Sequence, residues 1–504
     1  NFADENTFSA TDNVDVWKDS ILTLRHDFGS ASTTIETGDY RASLGSGGET
    51  SLNRDSLGVR TAGETVELTY DPGRARLSGQ DISNTDVQFI AARVTGDAEP
   101  VNTLAGAIDL IEESDNADAT FEILEERSLS GGETTFEHTG SAGHYVYFVV
   151  DEEQGAFSVA PNGSLSPPDS GTSTIIGVEQ ITFERGSPQV SAPAVTEPGE
   201  TLSFDVDTTN RLSATETVTH TILVHDQSKF SDVNQGRFRI QVADESVIDR
   251  NFDLSEEARL EHTIEEVNGD ASVDDGVQVN GIDISDGRVS RAVSVGQVVD
   301  FVAEDINGQT DTTSTGDVRL DASVTAQSEQ SPAETIDVGT AENWEPGTYQ
   351  YVYIGKATDN SSAVVTTTGT ISVQENVSVE TQGSQTVDED GGASIEFDAD
   401  ETVSSASFTG LKAGTTASVA RLSDAPSSVT VSPESGTEPA YFEINAEPET
   451  ADSPPTTAIT VDRSRFSDPD DVQVFRYDEE AGEYTQVATS VVDVDSDALT
   501  VQFE

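Results

Sequence analysis

Cysteine is absent from the 504 residues, which removes disulfides, thiolate-held metals and thiol nucleophiles together. Methionine is absent too, and without an initiator the sequence implies a processed N-terminus, as after signal-peptide removal or trimming. Lysine is confined to Lys18, Lys229, Lys356 and Lys412. With no basic patch to neutralise phosphates, nucleic acid is excluded as a partner. No apolar run reaches the roughly 18 residues of a helical membrane span. The last residues, Thr500-Val501-Gln502-Phe503-Glu504, read as strand, and a membrane anchor is expected downstream of them. Catalytic signatures are missing as well: there is no Gly-x-Ser-x-Gly, His-Glu-x-x-His, phosphate loop or dinucleotide fingerprint. The six histidines are dispersed, and the closest pair, His220 and His225, falls on opposite faces of a strand. The expectation is a non-enzyme with no catalytic and no metal-ligating residues.

What the chain has in excess is carboxylate: 94 Asp+Glu against 25 Lys+Arg, a formal net charge of −69. Such charge with only 34% hydrophobic residues approaches the composition of disorder. The acids, however, are scattered singly among alternating Val, Ile, Phe and Tyr rather than gathered in blocks. The stronger reading is a halophilic protein. At about 1 M salt the screening length is about 3 Å, so dense surface carboxylates barely repel one another.

Alternation dominates the pattern. Pro346-Gly347-Thr348-Tyr349-Gln350-Tyr351-Val352-Tyr353-Ile354 is a turn followed by a half-buried strand with three tyrosines on one face. A Gly-x-Tyr opening fits the sixth strand of an immunoglobulin-like sandwich, its hydroxyl bonding back to the preceding corner. Gly143-His144-Tyr145-Val146-Tyr147 repeats the device. Gly63-Glu64-Thr65-Val66 and Gly199-Glu200-Thr201-Leu202 repeat an early strand. The expected fold is mainly β: several immunoglobulin-like β-sandwich modules in tandem, grouped either side of a proline-rich hinge, with few short helices. The expected units are a β-rich domain over 1–185, β modules over 186–288, 289–375 and 376–457, and a small membrane-proximal domain over 458–504. Helical spacing occurs at Thr103–Glu113 and at Leu254–Glu261, where Ser255 can cap.

Four kinds of candidate site follow. The apolar, glycine-containing stretch Leu104, Ala105, Gly106, Ala107, Ile108, Leu110, Ile111 suits either a membrane-active segment or a helix packed on a sheet, and Asp109 argues against deep insertion. The segment around Pro188, Pro193, Pro198 and Gly199 is a domain boundary and candidate hinge. Asn162, Asn360 and Asn376 head Asn-x-Ser sequons and are glycosylation candidates. The turns Asp388–Gly392, Asp283–Gly287 and Asp468–Asp471 offer oxygen ligands to Ca2+ or other cations, though solvated acidic turns are the better account of them, and no cofactor is required.

The segments Asn13-Val14-Asp15-Val16-Trp17, Leu22-Thr23-Leu24-Arg25, Ser56–Val59 and Ala62–Val66 resemble the start of secreted haloarchaeal surface glycoproteins. Val472–Glu479, Tyr484-Thr485 and Val491–Val494 resemble the small β domain before their anchor. Length and single-copy modules also make the chain resemble the spike proteins of haloarchaeal pleomorphic viruses, although no motif-level residue carries over. That resemblance implies an extracellular ectodomain on a virion envelope, host attachment, fusion of viral and host membranes, and partners in the host surface and its lipid. The alternative is a surface-layer or adhesin protein of a haloarchaeal cell.

Overall fold

The computed structural model describes residues 7–17, 24–27, 40–42, 53–54, 58–70, 84–94, 104–112, 119–129, 134–152, 155–226, 239–242, 258–260, 266–268, 278–279, 282–283, 319–340, 342, 344–358, 363–397, 403–425, 440–448, 454–465, 472–478, 483–495 and 498–503. Among these the chain is a mainly β protein of immunoglobulin-like sandwiches in tandem, with one α-helix, Leu104–Glu112.

The alternation seen in the sequence is what makes each sandwich. In strand Thr201–Asp207, Leu202, Phe204 and Val206 are buried while Thr201, Ser203, Asp205 and Asp207 face solvent. A period of two delivers one face to the core and the acids to water. The N-terminal sandwich sets a seven-stranded sheet, whose centre is Ser173–Glu184, Gly143–Asp151 and Asp86–Val94, against the three strands Thr134–Thr139, Thr65–Tyr70 and Leu24–Asp27. Trp17, Tyr70, Phe89, Phe136, Tyr147 and Phe183 fill the space between.

The middle sandwich joins parts of the chain that the sequence assigns to two modules. Its six-stranded sheet runs Val195–Thr196, Val364–Val373, Gly347–Ala357, Val218–Asp226, Arg319–Gln330 and Glu266–Asn268. Its second sheet is Gln189–Ser191, Thr201–Asp207 and Ala333–Gly339. The boundary expected at 288/289 therefore separates strands of one sandwich. The boundary expected at 457/458 fails for the same reason. Strand Thr456–Asp462 straddles it, and Ala498–Phe503 and Thr489–Val494 complete the sheet begun by Ala393–Glu396 and Val403–Thr409. Among the described residues there, only the hairpin Val474–Asp478/Glu483–Val487 forms a sheet of its own.

Both tyrosine strands start at a corner. The Tyr349 hydroxyl donates to the Glu345 carbonyl at 3.0 Å, with its ring stacked on Trp344 at 4.6 Å between centroids. The Tyr145 hydroxyl meets the N–H and Oγ of Ser141 at 3.2 and 3.1 Å. Both bonds span four residues, the tyrosine-corner arrangement of such folds. The Gly-Glu-Thr repeats are likewise one turn used twice. Gly63 and Gly199 sit at φ +89° and +85°, closed by Glu64 N–H to Thr61 O at 3.0 Å and Glu200 N–H to Glu197 O at 3.3 Å. Positive φ at the third position demands glycine in such a type II turn.

Two expectations change. The Tyr349 strand is covered on both faces, because Val352 and Ile354 are buried along with the tyrosines. The helical spacing expected at 254–261 does not prevail at the residues described there, 258–260. Ala258–Leu260 is a strand that pairs with Ile240–Val242, since so short a segment cannot hold a helix against a sheet partner.

Candidate functional site: an interdomain dock

The proline-rich stretch is where the structure gathers its polar contacts between sandwiches. Gln189–Ser191 pairs with Thr201–Asp207 in one sheet of the middle sandwich, and Val195–Thr196 pairs with Val364–Val373 in the other. Pro193 marks the crossing. Along Gln189–Ser191 one set of alternate N–H groups serves Thr201–Asp207, and the other set faces away from that partner. Proline, lacking a donor, is at home on such an edge.

The outward set is met by side chains instead of a strand. Val190 N–H donates to Thr386 Oγ1 at 2.9 Å, Ala192 N–H to Ser384 Oγ at 2.6 Å and Ala194 N–H to Gln382 Oε1 at 3.0 Å. The three acceptors lie at alternate positions of strand Val379–Thr386 in the C-terminal sandwich, hence on one face. The other face turns into that sandwich's own core: a Cβ on Gly383 would lie 2.6 Å from Ile395. Asn445 closes the far side, its Nδ2 donating to Ala194 O at 2.7 Å while its Oδ1 accepts from Ser372 Oγ at 3.3 Å. Thr367 Oγ1 donates to Gly414 O at 2.6 Å, and Arg211 pairs with Glu389 at 3.3 Å. Ala194 and Val195 share an apolar cluster with Ala420 and Leu422. Burial holds the Tyr351 phenol well above its ordinary range.

The hinge expected at Pro188, Pro193, Pro198 and Gly199 is thus built into the middle sandwich and bonded to the C-terminal one. Pro198-Gly199 forms a closed turn, and Ala194 and Val195 are buried. The apolar segment at 104–111 is the helix, with Ala107, Ile108 and Ile111 buried and Asp109 exposed. Among its described side chains Ala107, Ile108 and Ile111 are covered by protein, and Leu110 is half-buried. Asn162 and Asn376 are exposed, and Asn360 lies outside the described residues. In the turn at 388–392, Asp388 Oδ1 accepts the N–H of Asp390 at 3.0 Å and of Gly392 at 2.8 Å. Of the other two acidic turns only Asp283 is described. No group of three or more carboxylates and histidines with metal-site geometry occurs among the described residues.

Two histidines of the cores, His220 and His138, are held by phenols. His220 Nε2 meets the Ser331 carbonyl at 2.8 Å, so Nε2 carries the proton and Nδ1 accepts from the Tyr353 hydroxyl at 2.7 Å. His138 Nδ1 lies 2.7 Å from the Tyr147 hydroxyl. Burial lowers both histidines below their ordinary value of 6.5; the Ser331 bond and Glu334 oppose this at His220, and Glu122 at His138. A histidine disfavoured as a cation in the fold binds protons more readily when unfolded, so stability is full above 6.5 and falls as pH drops below it. Thermal midpoints measured from pH 7.5 to 5 are expected to decline, and His220→Gln is expected to flatten part of that slope; a pH-independent midpoint overturns the assignment.

No protein-family model and no curated protein matches this chain. Among solved structures it is similar to activated Escherichia coli alpha-2-macroglobulin, at 11% identity and TM-score 0.19 over 81% of this chain and 30% of that one. It is similar to the chicken CNTN1 FN1–FN3 domains at 8% identity and TM-score 0.18, over 64% of this chain and 67% of that one. The Corynebacterium diphtheriae major pilin SpaA follows at 14% identity and TM-score 0.16, over 68% and 71%. The chain spans less than a third of the macroglobulin chains' length. Likenesses at these scores carry no argument about what this chain does.

Proposed function

We propose that the chain is the exposed part of a surface protein from a halophilic cell or enveloped virus, serving attachment or the building of a surface coat. One observation supports a static reading above the others. The stretch that would have to bend is bonded across the dock through Val190, Ala192 and Ala194. A spacer that holds a contact surface away from a membrane needs such fixed joints. The charge of −69 suits exposure to molar salt.

The resemblance to pleomorphic-virus spikes favours a second reading, in which the same ectodomain also fuses membranes. That requires the dock to open and Ile108 and Ile111 to leave their packing. Full-length protein in vesicles held at molar salt separates the two readings by dequenching of a lipid dye during heating. The static reading expects no lipid mixing below the protein's unfolding midpoint. Mixing that starts well below that midpoint overturns it in favour of fusion.

A further inference from the structure

We infer that Asn162 is a site of covalent sugar attachment and that the fold selects it over Asn376. Asn162-Gly163-Ser164 is the tip of the hairpin Ser158–Val159/Leu165–Ser166, closed by Gly163 N–H to Ala160 O at 2.8 Å and Ala160 N–H to Ser164 O at 2.9 Å. Gly163 takes φ +84°, and its carbonyl accepts from Phe121 N–H at 2.8 Å, which fixes the tip beside the edge strand Ala119–Ser128. The asparagine stands exposed beyond that edge.

The side-chain chemistry of the tip is suited to the transfer. Asn162 Oδ1 accepts both the Ser164 hydroxyl at 2.9 Å and the Ser164 N–H at 3.3 Å. Donation to Oδ1 draws the amide's electron density toward oxygen and eases loss of a proton from Nδ2. The co-reactant is an activated glycosyl phosphate presented by a transferase. Nδ2 bonds to the anomeric carbon, the bond from that carbon to the phosphate oxygen breaks, the phosphate leaves with the electron pair, and Nδ2 releases one proton.

The sequon at Asn376-Val377-Ser378 has the same letters and a different setting. Asn376 is exposed, at φ +55°, but Val377 packs against the apolar cluster of the dock. The Ser378 carbonyl accepts from the N–H of Ser423 at 2.9 Å and from its hydroxyl at 3.3 Å. The three residues cannot peel away to enter a transferase cleft without disturbing that packing. Sugar at Asn162 would also stand over Ala119–Ser128, the edge strand of the seven-stranded sheet, where pairing with another chain is to be avoided.

The inference rests on the surface reading above, and the test keeps the two apart. Protein taken from its native surface is digested at glutamate, and the peptides bearing Asn162 and Asn376 are weighed. The Asn162 peptide is expected to be heavier by one or more sugar residues in most copies, with the Asn376 peptide at its bare mass. Ser164→Ala is expected to abolish the added mass and Ser164→Thr to keep it, both folding normally because the position is a surface turn. A bare Asn162 peptide from protein recovered at the surface overturns the site while leaving the surface reading in place. Equal occupancy at Asn376 overturns the selection by the fold.

Discussion

In 3 M KCl the chain is expected to melt as a folded protein, and dilution to 0.1 M is expected to lower the midpoint by up to about 10–20 °C, since each 1 kcal/mol shifts domains of this size by roughly 2–4 °C. The estimate follows from the charge. Outward acids on neighbouring strands stand about 7 Å apart, and two such charges in water repel by roughly 0.6 kcal/mol. A screening length of about 3 Å near 1 M leaves about a tenth of that, and one of about 10 Å at 0.1 M leaves about half. The difference is roughly 0.25 kcal/mol per pair, so every twenty such pairs would cost about 5 kcal/mol, from which repulsion within the unfolded chain must be subtracted.

Cation-poor pairing makes the effect larger. Asp337 and Asp205 take hydrogen bonds from Ser203 at 2.6 Å and Thr335 at 2.7 Å across their strands, so hydroxyls satisfy the oxygens without cancelling charge. Calorimetry at 0.1, 1 and 3 M KCl measures the dependence. An equal concentration of sucrose is expected to recover little of the loss, because it excludes itself from surface without screening charge. A midpoint that moves only a few degrees across this range overturns the halophilic reading.

How far the sequence discloses the molecule can be judged at particular residues. Tyr145 and Tyr349 announce their corners because the Gly-x-Tyr device is local: a turn, a strand start and a bond spanning four residues. The turns at Gly63 and Gly199 are legible for the same reason, and so is the helix at 104–112, whose 3.6-residue period is interrupted by nothing. Partnership is another matter. Alternation tells which face of Thr456–Asp462 is apolar and says nothing of its pairing with Val403–Thr409 and Ala498–Phe503, so the boundary expected at 457/458 cuts the strand. His220 and Tyr353 are 133 residues apart in the chain, and a lone histidine among apolar residues gives no sign of its phenol.

The dock was hidden by an ambiguity of polarity. Gln382, Ser384 and Thr386 make a polar face that looks the same whether it meets water or the edge of another sheet. The proline-rich partner, read by composition as a linker, contributes an edge strand, Gln189–Ser191, to the middle sandwich. Polar residues opposite a proline-punctuated segment are the one signal that could have joined the two, and it requires knowing that they are opposite.

Removing the acceptors is therefore the test of whether the middle and C-terminal sandwiches act as one body. Thr386→Val keeps the volume of the side chain and leaves the buried Val190 N–H without its acceptor, an expected cost of about 1–3 kcal/mol. Ser384→Ala and Gln382→Ala are expected to cost less, because these positions are more open and water can take the donor's place. Asn445→Ala removes the bond to Ala194 O, which still accepts from Ser372 N–H at 2.9 Å, so its effect falls mainly on the junction and little on the middle sandwich's own sheet. The combined Thr386→Val, Asn445→Ala protein in 3 M KCl is expected to convert a shared unfolding transition into two resolved ones. The C-terminal sandwich would melt first, and backbone amides at 190, 192 and 194 would exchange at least tenfold faster while those at the tyrosine corners do not change. If the transition stays single with those amides still protected, the apolar cluster of Ala194, Val195, Ala420 and Leu422 holds the joint unaided and the side-chain ladder is ornament to it. If the two transitions are already separate in the unaltered protein, the sandwiches were never coupled, and the bend that membrane fusion would need is available at this joint after all.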